Sequence, residues 1–484
     1  MVLDRESCWR AVASKDRRFD GRFVIGVVTT GIYCRPGCPA PAPKRRNVLF
    51  FVTPAAAEDA GLRPCMRCRP DATPGTPAWV GSPATVQRAL RLLAEGGAVD
   101  AGLPDLASRL GIGDRHLRRL FAEHVGASPI AVARTQKLHF ARKLIDETDL
   151  PMVEVALSSG FRSIRRFNDA VRGTFRRTPT ELRRKRQKPA ESGIVLRLAY
   201  REPFDFVRLL AFLRARAIPG VESVSDHAYR RTIAIDGVVG TLEVALASGA
   251  LALRIRVPLV RGLYAIVERV RSLFDLRADP AIIVATLGRD ATLARSLRAR
   301  PGLRVPGAWD GFELAVRAIL GQQVSVTRAT ALSGRLVEAF GEPLPGSLCE
   351  HGLTRLFPPP AVLARADIAT ALGIPGGRAE AIRALGAEVA RGAIAFVPGA
   401  PDPRVLERLL AIRGIGPWTV AYVAMRALAD TDAFPDGDLG LRQALGTVDE
   451  PLRSRDLVRR AEAWRPWRAY AAMHLWSMRG GEPK

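Results

Sequence analysis

Residues 403–428 read PRVLERLLAIRGIGPWTVAYVAMRAL. Two stretches of helical apolar periodicity flank a short hairpin, Ile412-Arg413-Gly414-Ile415-Gly416-Pro417. Gly414 and Gly416 let the backbone turn tightly and come close to a phosphate. Pro417 opens the second helix, whose first N–H groups have no helical partner and point outward. This is the helix-hairpin-helix pattern, which grips the DNA backbone without reading bases. An ordinary helical hairpin with glycines in its turn is the competing reading of these residues alone. Just downstream, DAFPDGDLGLRQAL (432–445) forms a proline- and glycine-containing loop with two candidate carboxylates, Asp436 and Asp438.

The bulk numbers fit a DNA partner. The chain has 484 residues, enough for three or four domains, and a formal net charge of +25. Such an excess of Lys and Arg points to a polyanion, because each cation placed on a phosphate releases counterions. A basic membrane-surface protein would give a similar total. However, no apolar run reaches the roughly 18–20 residues that span a bilayer, and the opening MVLDRESCWR lacks a signal-peptide core. We therefore expect a bacterial cytoplasmic protein at the nucleoid, with no membrane partner. Six cysteines without a secretion signal favour a metal site over disulfides. Cys8 and Cys349 stand apart and read as ordinary small apolar residues.

Working outward, the text divides into segments. PAWVGSP (77–83) reads as a linker, and RRKRQKPAESG (183–193) is too charged to pack. Between them the pattern is helical. After 194 come strand-like runs, IVLRLAY, RRTIAIDG, TLEVALA and ALALRIRV, separated by turn glycines. From about 310 the chain is helical again.

At the other end of the chain, Cys34-x3-Cys38 and Cys65-x2-Cys68 let two segments each present two thiolates to one tetrahedral Zn²⁺. By spacing alone this is a structural zinc staple for a small domain. The flanking text, FVIGVVTTGIYCRPGCPA, RRNVLFF and AGLRPCMRCRPD, resembles the N-terminal domain of the Ada family of alkylation-response proteins over residues 4–73. That resemblance implies that Cys34 is also a nucleophile, taking a methyl group from a DNA methylphosphotriester in a single turnover. Zinc suits such a role because it keeps a thiolate deprotonated at neutral pH. Methylating one of four thiolates would lower the negative charge of the site and so its repulsion from DNA.

In the middle, GLPDLASRLGIGDRHLRRLFAEHVGASP reads as helix, glycine turn and second helix. The second helix offers Arg115, His116, Arg118 and Arg119, with Leu117, Leu120 and Phe121 left for the core. A similar unit, MVEVALSSGFRSIRRFNDAVRGTFRRTPTELRR, offers Arg162, Ser163, Arg165, Arg166 and Asn168. The tandem arrangement resembles the AraC-type DNA-binding domain over residues 82–186. His116 reads equally as a base reader, a phosphate contact or an exposed side chain.

Returning to the hairpin, the combination of hairpin, loop and aspartate resembles the helix-hairpin-helix DNA glycosylase superfamily. FELAVRAILGQQVSV (312–326), LRARPGLRVPGAWDGFE and AEAWRPWRAYAAMHLW narrow this to the AlkA-type 3-methyladenine glycosylases, from about 194 to 480. The resemblance implies that Asp438 is the catalytic carboxylate, with Asp436 its competitor as a loop cap or helix-start residue. It also implies a base pocket of Trp418, Tyr422 and Trp476, for each of which core packing is the bland alternative. Trp464 and Trp467 would pack or support that pocket. Gln323 takes the position of the intercalating wedge, where a well-known member has an apolar residue. Such an enzyme swings the damaged nucleotide out of the stack before breaking its glycosidic bond. Related bifunctional enzymes carry a lysine nucleophile where this chain has Trp418, so water attack is expected. No cysteine follows Cys349, so no iron–sulfur cluster is expected.

The expected architecture is thus multidomain: a small zinc-bound α+β domain (1–76), an all-α AraC-type tandem helix-turn-helix domain (82–186), a mixed α/β subdomain (194–305), and an all-α helix-hairpin-helix glycosylase domain (306–484). The expected function couples excision of alkylated purines to methyl acceptance and transcriptional activation, with Zn²⁺ as cofactor. Double-stranded DNA and RNA polymerase are the expected partners, and a monomer the expected state. The rivals are a non-catalytic regulator with a damage-sensing C-terminal half, a purely structural zinc knuckle, and an oxidised-purine glycosylase.

Overall fold

The computed structural model describes residues 4–70, 84–94, 102–183, 193–235, 237–258, 260, 262–398, 403–447 and 449–478. The chain forms two compact units. The first is Met1–Arg201 with two short pieces, Gly249–Leu251 and Leu259–Glu268; the second holds the rest. Among the described residues, no helix is long and apolar enough to cross a membrane.

The first unit opens with α1 (Arg5–Ala13), capped by Asp4, and a small sheet of β1 (Val24–Val27), β2 (Ile32–Cys34), β3 (Val48–Phe51) and β4 (Arg63–Pro64) in the order β3-β1-β2-β4. β2 pairs antiparallel with β1, Ile25 opposite Cys34, and parallel with β4, Tyr33 opposite Pro64. That register brings the Cys34 end of one strand beside the segment leading to Cys65. α2 (Pro54–Asp59) crosses between β3 and β4.

Helices follow: α3 (Ala84–Ala94), α4 (Leu103–Leu110), α5 (Asp114–His124), α6 (Pro129–Glu147), α7 (Met152–Ser158), α8 (Ile164–Phe175) and α9 (Pro179–Leu182). Gly111 ends α4 in the left-handed conformation at φ 70°, which a side chain would strain, so the turn between α4 and α5 depends on it. α6 is the central helix, burying Leu138, Phe140, Ala141, Leu144 and Ile145. β5 (Ile194–Leu198) closes this part of the chain.

The second unit begins with α10 (Phe206–Arg214) and an antiparallel meander of β6 (Glu222–Val224), β7 (Ala228–Ile235) and β8 (Val238–Ala247), continued by β9 (Ala250–Arg256). The alternation in RRTIAIDG and TLEVALA matches the two long strands, which run in register from Ala228↔Ala245 to Ile235↔Val238. The short β6 carries too few alternating residues to be read from sequence. α11 (Leu263–Leu273) is divided between the two units after Glu268, and α12 (Pro280–Leu287) and α13 (Ala291–Ala299) lead into the helical part.

That part comprises α14 (Gly311–Leu320), α15 (Val326–Phe340), α16 (Pro360–Leu363), α17 (Ile368–Leu372), α18 (Gly376–Ala390), α19 (Pro403–Ala411), α20 (Pro417–Arg426), α21 (Leu439–Leu445), α22 (Ser454–Ala461) and α23 (Arg468–Met478). α14 is buried along most of its length and packs on both α18 and α20. A buried ionic cluster ties it to the sheet. Arg231 on β7 donates to Glu313 on α14 at 2.7 Å, and Arg317 reaches Glu222 at 3.0 Å. With both signs present and hydrogen-bonded, neither charge is left to bear its desolvation cost alone. Cys8 is buried as expected, whereas Cys349 lies exposed after a short helical turn instead of in a core.

Candidate active site and metal centre

The hairpin forms as read. α19 ends at Ala411, the Ile415 N–H donates back to the Ile412 carbonyl at 3.0 Å, and α20 starts at Pro417. Gly414 sits at φ 95°, and a Cβ there would stand 3.2 Å from the Ala381 methyl on α18. Both the turn and the close approach of α18 therefore call for glycine. Gln322, just past the end of α14, donates from Nε2 to the Gly414 carbonyl at 2.8 Å and lies 3.2 Å from Thr419 Oγ1. Arg378 donates to the Gln322 carbonyl at 2.8 Å. Gln323 follows directly in the chain and stands exposed in the left-handed region at φ 57°, an uncommon state for a non-glycine residue.

Asp438 lies at the centre of the cluster. It is 7% exposed, yet three N–H groups converge on its carboxylate. Trp476 Nε1 donates to Oδ1 at 2.9 Å, the Leu441 amide to Oδ1 at 2.9 Å, and Trp418 Nε1 to Oδ2 at 3.0 Å. Three elements thus meet on one side chain: α20 through Trp418, α21 through its own cap, and α23 through Trp476. The cap role allotted to Asp436 belongs to Asp438 itself, which is the N-cap of α21. Asp436 instead accepts from Ser454 Oγ at 3.0 Å. The two carboxylates, two residues apart in the loop, thus have different neighbours.

Trp418 and Tyr422 stack with ring centroids 5.2 Å apart and 10° between planes, one helical turn apart on α20. Both rings are half-buried, whereas Trp476 is buried. Arg426, a turn further on, donates to the Tyr422 hydroxyl at 2.6 Å. Burial pushes the Tyr422 phenol up, but Arg426, Arg216 and Arg317 outweigh it and bring it below the usual tyrosine value. Trp464 is a core residue, donating to Asp290 at 3.2 Å and packing edge-on against Phe434. Trp467 is buried against Tyr470.

His474 stands two residues before Trp476 on α23, with Nδ1 3.0 Å from Ser296 Oγ. Burial, and then the nearby Arg300, push its pKa down to about 4. The unfolded imidazole binds its proton near the ordinary value of about 6.5. Stability of this unit is therefore lost as pH falls from about 6.5 towards 4, by roughly 3 kcal/mol at the most. Urea midpoints followed by tryptophan fluorescence should drop over that interval, and a His474→Gln variant should show the flatter profile.

In the first unit the four predicted ligands come together. The sulfurs of Cys34, Cys38, Cys65 and Cys68 all lie within 4.8 Å of one another, and all four residues are buried. A tetrahedral Zn²⁺ with sulfur bonds of about 2.3 Å needs sulfurs about 3.8 Å apart, so the cluster fits the ion. The Cys34–Cys38 loop is pinned from one side by Asp20, which accepts from the Gly37 amide at 2.8 Å and pairs with Arg35 at 2.7 Å. A Cβ at Gly37 would lie 3.0 Å from both Asp20 oxygens and 2.6 Å from Arg17 Cγ. Only glycine lets the loop close on that carboxylate.

Beside the ligands lies a second set of contacts. Tyr33 donates to Glu58 Oε1 at 2.8 Å, Thr135 donates to Glu58 Oε2 at 2.6 Å, and His139 Nε2 lies 3.1 Å from Glu58 Oε1. Arg69, the residue after Cys68, pairs with Asp146 on α6, as does Arg142. Burial pushes the Glu58 carboxyl up, yet His139, Thr135 and Tyr33 outweigh it and hold it below its ordinary value. A Glu58→Ala variant leaves three polar groups without their acceptor. It should destabilise the first unit by about 2–4 kcal/mol, read as a lowered denaturant midpoint.

The helix-turn-helix residues separate by position. Arg115, His116, Arg118 and Arg119 are exposed on the first two turns of α5, while Leu117 and Phe121 are buried. His116 Nδ1 lies 3.1 Å from Arg119 Nη2. Arg165 and Arg166 are exposed at the start of α8. Arg162 and Ser163, expected on that helix, precede it; Ser163 is its N-cap, accepting from the Arg166 amide at 3.2 Å.

The geometry defines a DNA-handling class of protein, with a helix-hairpin-helix site around one aspartate and a separate four-cysteine metal centre. Three family models match the chain: the metal-binding domain of Ada at residues 7–71, a helix-turn-helix domain at 106–185, and the AlkA N-terminal domain at 195–310. The "probable bifunctional transcriptional activator/DNA repair enzyme AlkA" of Mycobacterium tuberculosis is 44% identical over 98% of this chain and 96% of its own length. DNA-3-methyladenine glycosylase 2 of Escherichia coli is 36% identical over 59% of this chain and 98% of its own. The regulatory protein ada of Salmonella typhimurium is 39% identical over 27% of this chain and 35% of its own. The chain belongs to the family of bifunctional transcriptional activator/DNA repair enzymes that join an Ada-type zinc and helix-turn-helix region to an AlkA-type glycosylase.

Proposed function

We propose that the second unit hydrolyses the N-glycosidic bond of 3-methyladenine and other alkylated purines, with Asp438 as its catalytic carboxylate. The convergence of Trp418, Trp476 and the Leu441 amide on that one buried carboxylate carries the reading. A base alkylated at N3 or N7 is already a fair leaving group. What the protein must add is negative charge held beside the oxocarbenium-like sugar, in a site where it does not reorganise. Three N–H donors on two helices and a cap hold Asp438 in that way, and its oxygens can also orient the attacking water. Gly414, Gly416 and the start of α20 bind the DNA backbone beside the lesion. The exposed Gln323 fills the gap left by the flipped nucleotide. The stacked Trp418–Tyr422 pair and Trp476 receive the base.

In the first unit, Cys34, Cys38, Cys65 and Cys68 hold Zn²⁺, which when bound keeps the thiols deprotonated. Cys34 then accepts a methyl group from a DNA methylphosphotriester: the sulfur–carbon bond forms as the carbon–oxygen bond breaks, and the phosphodiester leaves as an anion. Arg115, His116, Arg118, Arg119, Arg162, Arg165 and Arg166 contact promoter DNA, with RNA polymerase as the downstream partner. The chain acts as a monomer in the bacterial cytoplasm, divided into four domains at 1–76, 82–186, 194–305 and 306–484.

The test is a glycosylase assay on duplexes carrying a single 3-methyladenine or 7-methylguanine. Release of the free base without strand cleavage is expected. Strand cleavage through a covalent imine, or no release from either duplex, would overturn the reading.

A further inference from the structure

We propose that Arg426 sets how strongly the base pocket discriminates between positively charged and neutral damaged bases. The inference rests on the pocket reading above and concerns a residue that touches the pocket wall, not the base.

Arg426 is 5% exposed. Its hydrogen bonds run to the Pro306 carbonyl at 2.8 Å, the Gly307 carbonyl at 3.1 Å and the Tyr422 hydroxyl at 2.6 Å. All three acceptors are neutral oxygens. Arg231 and Arg317 differ, since Glu222 and Glu313 face them. The Arg426 guanidinium carbon lies 5.3 Å from the Tyr422 ring centroid and 4.8 Å from that of Phe212. Arg216 stands 3.8 Å from the same Phe212 ring.

The aromatic stack therefore has two unlike ends. Trp418 carries the Asp438 carboxylate on its indole N–H, and Tyr422 carries a buried cation on its hydroxyl and ring. An aromatic ring attracts a cation through its quadrupole, and that attraction weakens when another cation already sits against the ring. A base bearing a full positive charge and stacked on this pair feels repulsion from Arg426. A neutral base of the same shape does not. Charge separation of this kind persists inside a fold, where screening is weaker than in water. Aromatic side chains alone would favour the cationic base; Arg426 offsets that preference and widens the range of bases the pocket accepts.

The experiment uses the full chain and two duplexes, one with 7-methylguanine, whose base is cationic, and one with hypoxanthine, whose base is neutral. Single-turnover kcat/KM is measured on each for the unsubstituted protein, Arg426→Gln and Arg426→Lys. The glutamine variant should raise the 7-methylguanine to hypoxanthine ratio about threefold to tenfold, and lysine, which keeps the charge, should leave it within about twofold. An unchanged ratio with glutamine, or the same shift with lysine, overturns the inference. Should Arg426→Gln fail to fold, Arg216→Gln tests the same field and should shift the ratio in the same direction, less far; no shift there overturns it too. Excision of neither lesion by the unsubstituted chain would overturn the pocket reading, and this inference with it.

Discussion

Asp438→Asn is expected to cut the excision of 7-methylguanine by at least about a hundredfold while leaving the protein folded. Asparagine caps helices as well as aspartate does, so its amide oxygen can keep the Leu441 amide and Trp476 Nε1 as donors. The amide nitrogen must then face Trp418 Nε1, where two donors meet and one hydrogen bond is lost. That costs about 1–2 kcal/mol of stability, far less than would unfold the unit. Activity and stability therefore separate: the denaturant midpoint moves slightly, and the single-turnover excision rate collapses. Asp436→Asn serves as the comparison. Its carboxylate accepts from Ser454 and should change the rate by no more than a few-fold. Excision by Asp438→Asn at the unsubstituted rate would remove the carboxylate from the chemistry and revive the reading of this half as a damage sensor.

The two aspartates also show where sequence reading stops. The hairpin glycines and the loop aspartates are local signals, and each falls where its spacing places it. The donors to Asp438 are not local. Trp418 lies twenty residues before it and Trp476 thirty-eight after it, and no periodicity links the three. The cap of α21 falls on Asp438 and not on Asp436, two residues earlier, because both are good cap residues and local cues place a helix start only to within a residue or two. Gln322, and not its neighbour Gln323, ties the end of α14 to the hairpin, and no local cue separates the two glutamines. Arg426 was hidden within a helix whose pattern reads only as apolar. In the same way Glu58 sits in a short alanine-rich helix, and its partners Thr135 and His139 stand 77 and 81 residues on. Helices, turns and the longer strands were legible because their cues lie within a few residues; polar networks that hold the sites were not, because they join residues far apart in the chain.

The four cysteines pose the opposite case, in which the contacts are clear and the roles are not. Cys34, Cys38, Cys65 and Cys68 are buried to nearly equal extents, between 3% and 9% exposed, and their sulfurs form one cluster. Geometry alone does not choose a nucleophile among them. The position of Cys34 does distinguish it, since it ends β2 directly after Tyr33 and starts the loop that Asp20 and Gly37 hold closed. After incubation of the full chain with methylphosphotriester DNA, peptide mapping by mass spectrometry should find one methyl group, and only on the peptide carrying Cys34. Cys34→Ser should abolish the adduct completely, an all-or-none effect, because a neutral hydroxyl lacks the nucleophilicity of a thiolate. Cys38→Ser would disturb the metal as well, so loss of the adduct there does not by itself identify the nucleophile. The location of the methyl group does. A methyl group on Cys38, Cys65 or Cys68 would move the role to that residue. No adduct on a zinc-loaded protein would reduce the cluster to a staple, whose work is to hold β2 and the Cys65–Cys68 turn together.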